Sequence, residues 1–424
     1  MKDFLLVSVN MGYGHQRTIF PLKNFAYKKK IININDYPEI PEKDKKIWST
    51  TRNGYELVSR FKRVPLLGAL VFYLFDQFQK ILEFYPKRDL STPTFQLKQN
   101  ISLIKKGWGR DLINKLEEKP LPFVTSFFTP AFMAEYFKYS KDIYCIICDA
   151  DIARTWAPIN PKKSKIKYLA PNERVVERLK LYGVNPKNIF LTGYPLPLEN
   201  IGDSKMAVLK ADLKNRLVNL ASSKKHADYY KPLIKSYLGN LPKKANHPLT
   251  IMFAVGGAGA QAEIGYKALK SLRKKIKKGE VRFILVAGTK KLVKEYFEDK
   301  IVKLKLLREK NVEILFDDTF EKYFNKFNKT LRKTDILWTK PSELSFYSAL
   351  GIPIILAPCI GSQEKFNSDW LLKSGFAIPQ RNPEYTEQWL FDWLEKGYLA
   401  EAALQGFIEG KQLGTLNIKK IINK

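Results

Sequence analysis

Four groups of residues have types and spacings that could do chemistry. His15 follows Gly12-Tyr13-Gly14. An imidazole, with an ordinary pKa near ~6.5, can take or give a proton close to neutrality. The chain has three histidines, the others being His226 and His247. The plain alternative for His15 is a helix-capping or loop residue. Asp149 and Asp151 form an Asp-x-Asp pair. Such carboxylates can hold a hard divalent cation through oxygen, or orient a base or a hydroxyl. Gly256-Gly257-Ala258-Gly259-Ala260 is a glycine-rich turn. Between a strand and a helix, such a turn brings backbone N–H groups and a positive helix end up to a phosphate. No Gly-Lys-Ser/Thr follows, so it is not a Walker A loop. A tight turn without a ligand is its plain alternative. The fourth group lies in residues 338–375 and comprises Thr339, Lys340 and Glu343, then Gln363, Glu364 and Asn367.

The elements around these residues read as alternating strands and helices. Phe4-Leu5-Leu6-Val7-Ser8-Val9 is a short buried strand, and an apolar-periodic helix follows the Gly-x-Gly turn. Residues 31–36, 122–128, 143–148 and 168–171 read as further strands, with helices over 130–139 and 173–181. Residues 188–195 close this half. The second half opens with the strand 249–255, the glycine turn and a helix over 261–278. Strands over 281–287, 312–315, 335–338 and 353–357 follow. A helix is expected from Ser342 as N-cap to Gly351, and another from residue 361. The pattern implies α/β halves with polar groups at the carboxyl ends of their strands, where open α/β sheets bind ligands. Cys145 and Cys148 lie in one apolar strand, where residues three apart point to opposite faces. They read as strand packing rather than as a metal or disulfide pair.

Charge is the unusual bulk property: 73 Lys and Arg oppose 42 Asp and Glu over 424 residues, a net +31. Residues 205–310 alone carry 26 basic and 8 acidic side chains. A polyanionic neighbour is implied: nucleic acid, an anionic membrane surface or a phosphorylated substrate. Residues 54–85 mix aromatic, aliphatic and basic side chains at helical spacing. They suit either a core helix or a surface lying on an anionic bilayer. The longest apolar run falls short of the roughly 18 residues a membrane span needs. No signal peptide is visible. The expectation is a cytoplasmic protein, peripherally membrane-associated.

Thr339-Lys340-Pro341-Ser342, a helix, Gly351-Ile352-Pro353-Ile354-Ile355-Leu356, then Gly361-Ser362-Gln363-Glu364 and Asn367 resemble the donor-binding segment of GT-B glycosyltransferases. The nearest group contains the monogalactosyldiacylglycerol synthases and the peptidoglycan lipid-intermediate N-acetylglucosaminyltransferase. The Gly12-x-Gly14-His15 turn, Asp149 with Trp156 seven residues on, and Gly193-Tyr194-Pro195 resemble that group's acceptor half. Asp-x-Asp is also how GT-A glycosyltransferases hold Mn²⁺ or Mg²⁺, but the surrounding residues resemble the lipid galactosyltransferases more. The chain departs from the group in two places. The donor helix lacks the acid that takes the ribose hydroxyls, leaving Glu343, one turn earlier, and Pro341-Ser342 replaces a glycine-rich turn.

The resemblance implies an α/β, GT-B fold with two Rossmann-like domains facing across a cleft. The expected divisions are 1–198 on the acceptor side, 199–380 on the donor side, and terminal helices over 381–424 that return to the first domain. It implies transfer of a sugar, with inversion, from a nucleotide-diphospho-sugar to a lipid or lipid-linked acceptor. The co-substrate is the nucleotide sugar, and neither a cofactor nor a metal is called for. His15, polarised by Asp149 or Asp151, would be the base. Gly12 and Gly14 would shape its loop. Gly256, Gly257, Gly259 and Ala260 would cradle the diphosphate, with Thr339 and Lys340 beside them. Glu343 would hold the ribose, and Gln363, Glu364 and Asn367 the sugar. Two rival readings are a nucleotide-sugar 2-epimerase of the same fold and a basic nucleic-acid-binding protein. The second lacks a compact recognition motif.

Overall fold

Short apolar runs become the central strands of each sheet, buried on both faces as parallel sheets covered by helices require. The computed structural model describes residues 3–50, 81–221, 224–254 and 261–424, apart from the side chains of 224–229 and 362–363. The stretch at 54–85, which suits either a core helix or a surface on an anionic bilayer, therefore lies largely outside the described residues, as do Gly256, Gly257, Gly259 and Ala260 and the side chain of Gln363. The chain divides into two compact units. Unit 1 holds residues 1–195, 361–367 and 413–424, and unit 2 holds residues 196–360 and 368–412.

Unit 1 is built on a six-stranded sheet in the order β2-β1-β3-β4-β5-β6. Its strands are β1 (Phe4–Ser8), β2 (Ala26–Asn33), β3 (Phe123–Thr125), β4 (Ile143–Ile146), β5 (Lys167–Ala170) and β6 (Ile189–Leu191). Every pairing is parallel. The core on one face joins Leu6, Val124, Ile146 and Leu169 to Ile19 and Leu22, and closes with Ile418 and Ile422 of the helix Gly414–Ile422. Asn417 of that helix donates from Nδ2 to the Thr192 carbonyl at 2.9 Å, which fixes the helix beyond β6.

Unit 2 repeats the plan with a sheet ordered β12-β11-β10-β7-β8-β9. Its strands are β7 (Leu249–Ala254), β8 (Val281–Gly288), β9 (Val312–Phe316), β10 (Ile336–Thr339), β11 (Ile354–Leu356) and β12 (Ala377–Pro379). They too pair in parallel. The α/β class of two Rossmann-like halves, as in GT-B, is thus present in the sheets themselves.

The expected helix from Ser342 is a 3₁₀ helix, Glu343–Leu350, and the Ser342 side chain makes no capping bond. All seven residues after Glu343 are buried, so no solvent face sets its period. It stops at Gly351, whose φ of 65° is the left-handed conformation that glycine adopts without strain. A Cβ there would stand 2.7 Å from Leu213 Cδ1. At the amino ends of β7 and β10, Asp335 accepts from Thr250 N at 2.8 Å, Asn219 Nδ2 at 2.9 Å and His247 Nε2 at 3.1 Å. Beside it the buried Arg216 donates to the carbonyls of Thr334 and Leu350, both at 2.8 Å. This network satisfies polar groups at the end of the sheet opposite the expected site, and so His247 has a structural role.

Candidate active site

In unit 1 the chain leaves β1 through a loop held by asparagines of the neighbouring strand and turn. Asn10 N donates to Asn35 Oδ1 at 2.9 Å, and Asn35 Nδ2 returns to the Asn10 carbonyl at 3.2 Å. Gln16 Nε2 donates to the Val9 carbonyl at 3.2 Å and to Asn33 Oδ1 at 2.5 Å. Gly12 turns the loop into the helix Tyr13–Ile19 with φ 121° and ψ 179°, a conformation open in practice to glycine alone. Gly14 serves the same turn, its carbonyl accepting from Thr18 Oγ1 at 2.7 Å.

This geometry puts His15 beside the carboxyl end of β3. His15 Nδ1 donates to the Ser126 carbonyl at 2.8 Å, and Ser126 Oγ donates back to the His15 carbonyl at 2.9 Å. A carbonyl can only accept, so Nδ1 carries the proton and Nε2 is the basic nitrogen of the neutral ring. Aromatic rings wall the imidazole. Phe127 lies 4.7 Å away and Trp156 6.4 Å, centroid to centroid, and Phe128 packs on Trp156 at 5.3 Å. Phe127, Phe128 and His15 are half-buried.

The carboxyl end of β4 meets the same place. Cys148 Sγ lies 3.6 Å from His15 Nδ1 and donates to Asp149 Oδ2 at 3.8 Å. Two asparagines clamp the next peptide: Asn172 Nδ2 donates to the Ala150 carbonyl at 3.0 Å, and Asn367 Oδ1 accepts from Ala150 N at 2.7 Å. Asn367 Nδ2 also donates to Asp149 Oδ1 at 3.2 Å. Asp149 is half-buried; Asn367 is 2% exposed.

Two expectations are corrected here. Asp151 does not stand behind His15. Both its oxygens accept from Arg178, Nε at 2.8 Å and a terminal nitrogen at 2.7 Å, with the pair's side chains 7% and 1% exposed. A bidentate buried pair of this kind holds structure. Arg178 completes its bonding on the Leu82 carbonyl at 2.8 Å. Asn367, expected on the donor sugar, is committed to Asp149 and Ala150 and has no exposed amide to offer. Glu364, half-buried, groups with it in unit 1.

In unit 2, Thr339, Lys340 and Glu343 are the expected donor residues that the structure describes, at and just beyond the carboxyl end of β10. Thr339 ends β10 and donates from Oγ1 to the Ala254 carbonyl, the last residue of β7, at 3.3 Å. It is 2% exposed, so it braces the carboxyl end of β7 rather than touching a ligand. Lys340 and Glu343 follow, both half-buried. At the start of the helix Ala262–Ser271, Gln261 adopts φ 69° and donates to the Pro358 carbonyl at 2.8 Å. Among the described residues no cluster of three or more His, Cys, Asp or Glu could hold a metal ion, and no helix is long and apolar enough to cross a membrane.

Sequence reasoning missed Ser126, Cys148, Asn172 and Gln261. Ser126 acts through its carbonyl, which no side chain advertises. Cys148 could have been found from its position, the last apolar residue of a strand immediately before an acid.

A family model described as a domain of unknown function (DUF6938) matches residues 242–324. No curated protein matches the chain. Among solved structures, the chain is similar to the S. aureus MnaA–UDP co-structure, at 11% identity and TM-score 0.48, covering 100% of this chain and 97% of that one. It is similar to the UDP-GlcNAc 2-epimerase from Neisseria meningitidis bound to UDP-GlcNAc, at 12% identity and TM-score 0.47, covering 100% of both chains. It is also similar to Acinetobacter baumannii MurG, at 12% identity and TM-score 0.46, covering 99% of both. At these scores the likeness decides nothing about activity.

Proposed function

We propose that the protein is a glycosyltransferase that moves a sugar from a nucleotide-diphospho-sugar to a hydroxyl of a lipid or lipid-linked acceptor at a cytoplasmic membrane face. One observation carries the reading. His15 stands at the carboxyl ends of β1, β3 and β4 with Nδ1 fixed on the Ser126 carbonyl, which makes Nε2 the basic nitrogen. In the reaction the acceptor oxygen attacks the anomeric carbon and its proton passes to Nε2. The bond from the anomeric carbon to the diphosphate oxygen breaks with inversion, and the nucleoside diphosphate leaves. Asp149 stabilises the imidazolium. Phe127 and Phe128 offer the acceptor an apolar wall beside the base. Glu343, Lys340, Glu364 and Gln363 are the donor-side residues of this proposal. The glycine turn over 256–260 would meet the diphosphate with backbone N–H groups, so the proposal needs no metal. The net charge of +31 supports attachment to anionic lipid, at roughly 1 kcal/mol per basic residue near the surface.

A panel of nucleotide sugars in thermal unfolding tests the donor. A donor at 100 times its Kd stabilises by about 2.7 kcal/mol, roughly 5–10 °C for a unit of this size. No response to any uridine, guanosine or thymidine donor would overturn the reading. Conversion of a donor without any acceptor would replace transfer by epimerisation. Sedimentation with vesicles, with and without anionic lipid, tests the membrane surface.

A further inference from the structure

The excess of positive charge in residues 205–310 has a place in unit 2, at the amino ends of β8 and β9. The helix Arg273–Lys277 leads into β8 there, and the helix Lys291–Lys303 leads into β9. The two connections touch: Asn311 Nδ2 donates to the Ile276 carbonyl at 3.4 Å, and the Asn311 carbonyl accepts from Phe283 N at 2.8 Å. Residues 273–280 and 302–310 together carry nine basic side chains against two acidic. Of the acids, Glu280 is held by Lys275 at 2.7 Å, and Glu309 is half-buried. Nearby Asp299 is held by Lys300 and Lys303 at 2.9 and 3.0 Å. Lys274, Lys277, Lys278, Lys305, Arg308 and Lys310 are exposed, and none of them forms an ion pair among the described residues. The second connection also projects apolar side chains. Lys305 adopts φ 55°, and Leu306 N closes on the Ile301 carbonyl at 3.0 Å, which ends the helix. Leu304 and Leu306 turn inward, while Leu307 stays 73% and Val302 55% exposed. A single exposed leucine is ordinary; two apolar side chains among unpaired cations make a surface of mixed chemistry.

We propose that this end of unit 2 is a docking surface for an anionic lipid bilayer, with the lysines and Arg308 on headgroup phosphates and Leu307 and Val302 in the boundary between headgroups and acyl chains. Binding at such an interface grows with buried apolar area and with attraction to anionic lipid, and this surface supplies both. A nucleic acid fits it less well. Residues 273–280 and 302–310 contain no aromatic side chain to stack a base. Five of the six unpaired cations are lysines, point charges rather than guanidinium forks. A phosphate backbone would leave Leu307 in water. The surface lies at the end of the sheet opposite Thr339, so docking leaves the carboxyl end of unit 2 open to the water from which a nucleotide sugar arrives. The inference rests on the membrane part of the proposed function. It is measured without donor or acceptor, so a failed donor panel and a failed docking surface are separate results.

The test is sedimentation of the full-length protein with vesicles of equal parts phosphatidylglycerol and phosphatidylcholine, and with phosphatidylcholine alone. Wild type binds the anionic vesicles, and less so as salt rises. Lys278→Gln with Lys310→Gln lowers the partition coefficient about 30-fold. Lys277→Gln with Arg308→Gln repeats the loss and serves where the first pair is unstable. Leu307→Ser lowers it roughly tenfold. Lys98→Gln with Lys105→Gln removes equal charge from exposed lysines of the unit 1 helix Phe95–Lys105 and changes it less than about threefold. An equal loss from that control pair would reduce the effect to net charge and overturn the surface. Wild-type binding by folded variants of the patch, or by Leu307→Ser, would overturn it as well. Variants that lose affinity for duplex DNA but none for vesicles would reassign the surface to nucleic acid. Wild type that ignores anionic vesicles would overturn both this surface and the membrane part of the proposed function, whatever the nucleotide-sugar panel shows.

Discussion

Replacing Asp151 by asparagine separates a structural carboxylate from a reactive one. The change keeps shape and removes charge. In the native protein, Asp151 and Arg178 meet through two short bonds of 2.8 and 2.7 Å, with 7% and 1% of their side chains exposed. Asparagine can accept one of the two guanidinium N–H groups through its oxygen, but its amide N–H₂ then faces the other. The Arg178 charge stays buried, held by the Leu82 carbonyl and lying 5.1 Å from the Phe84 ring centre. Removing one member of a buried pair costs about 3–5 kcal/mol, because the partner's desolvation is no longer offset. For a unit of roughly 200 residues, that is a fall in Tm of roughly 6–20 °C. Replacing both members by apolar residues of similar volume, Asp151→Leu with Arg178→Met, should recover most of the loss. Urea unfolding followed by circular dichroism reads these values. The protein that remains folded should keep its His15-dependent turnover. An Asp151→Asn protein as stable as wild type but inactive would refute the structural assignment and return Asp151 to the reactive centre.

Two further outcomes follow from unit 2. Gly351→Ala should destabilise by roughly 1–3 kcal/mol, through its φ of 65° and the 2.7 Å approach of its Cβ to Leu213; a neutral result in denaturant titration would contradict the geometry. Burial raises the Asp335 carboxyl above its ordinary 3.8, against the lowering effect of its bonds to His247 and Thr250. Folding therefore disfavours its charged form, and the contribution of this group is most favourable below pH 3.8 and declines as pH rises towards the folded value. The stability difference between wild type and Asp335→Asn should shrink across that interval, and a difference that grows with pH would contradict the assignment.

How far the fold could be read from residues alone depended on how local its causes were. β1, β4, β7 and β8 are dense apolar runs with clear stops, and each lies where the sequence places it. β12 is only Ala377-Ile378-Pro379, too short and too mixed to stand out. The segment Glu343–Leu350 is buried all round beyond its first residue, so periodicity could not distinguish 3₁₀ from α. The loop carrying His15 was legible because glycine at Gly12 has a backbone cause. Asp149 and Asp151 looked equivalent because the Asp-x-Asp spacing carries no information about partners. Arg178, 27 residues away, decides between them. Asn367 reaches Asp149 across 218 positions and Cys148 meets His15 across 133. No local pattern encodes such contacts, and a thiol at the end of a strand reads as packing until its neighbour is known.

The most direct test of the central claim is transfer itself. Wild type and His15→Ala are incubated with a radiolabelled nucleotide sugar that raises the melting temperature, together with a total membrane lipid extract. The label is then partitioned between organic and aqueous phases. The account predicts label in the organic phase with wild type, a loss of about 10²–10⁴-fold with His15→Ala, and the same donor-induced melting shift in both proteins. Label transfer that survives His15→Ala, or none with wild type in the presence of a bound donor, would contradict it.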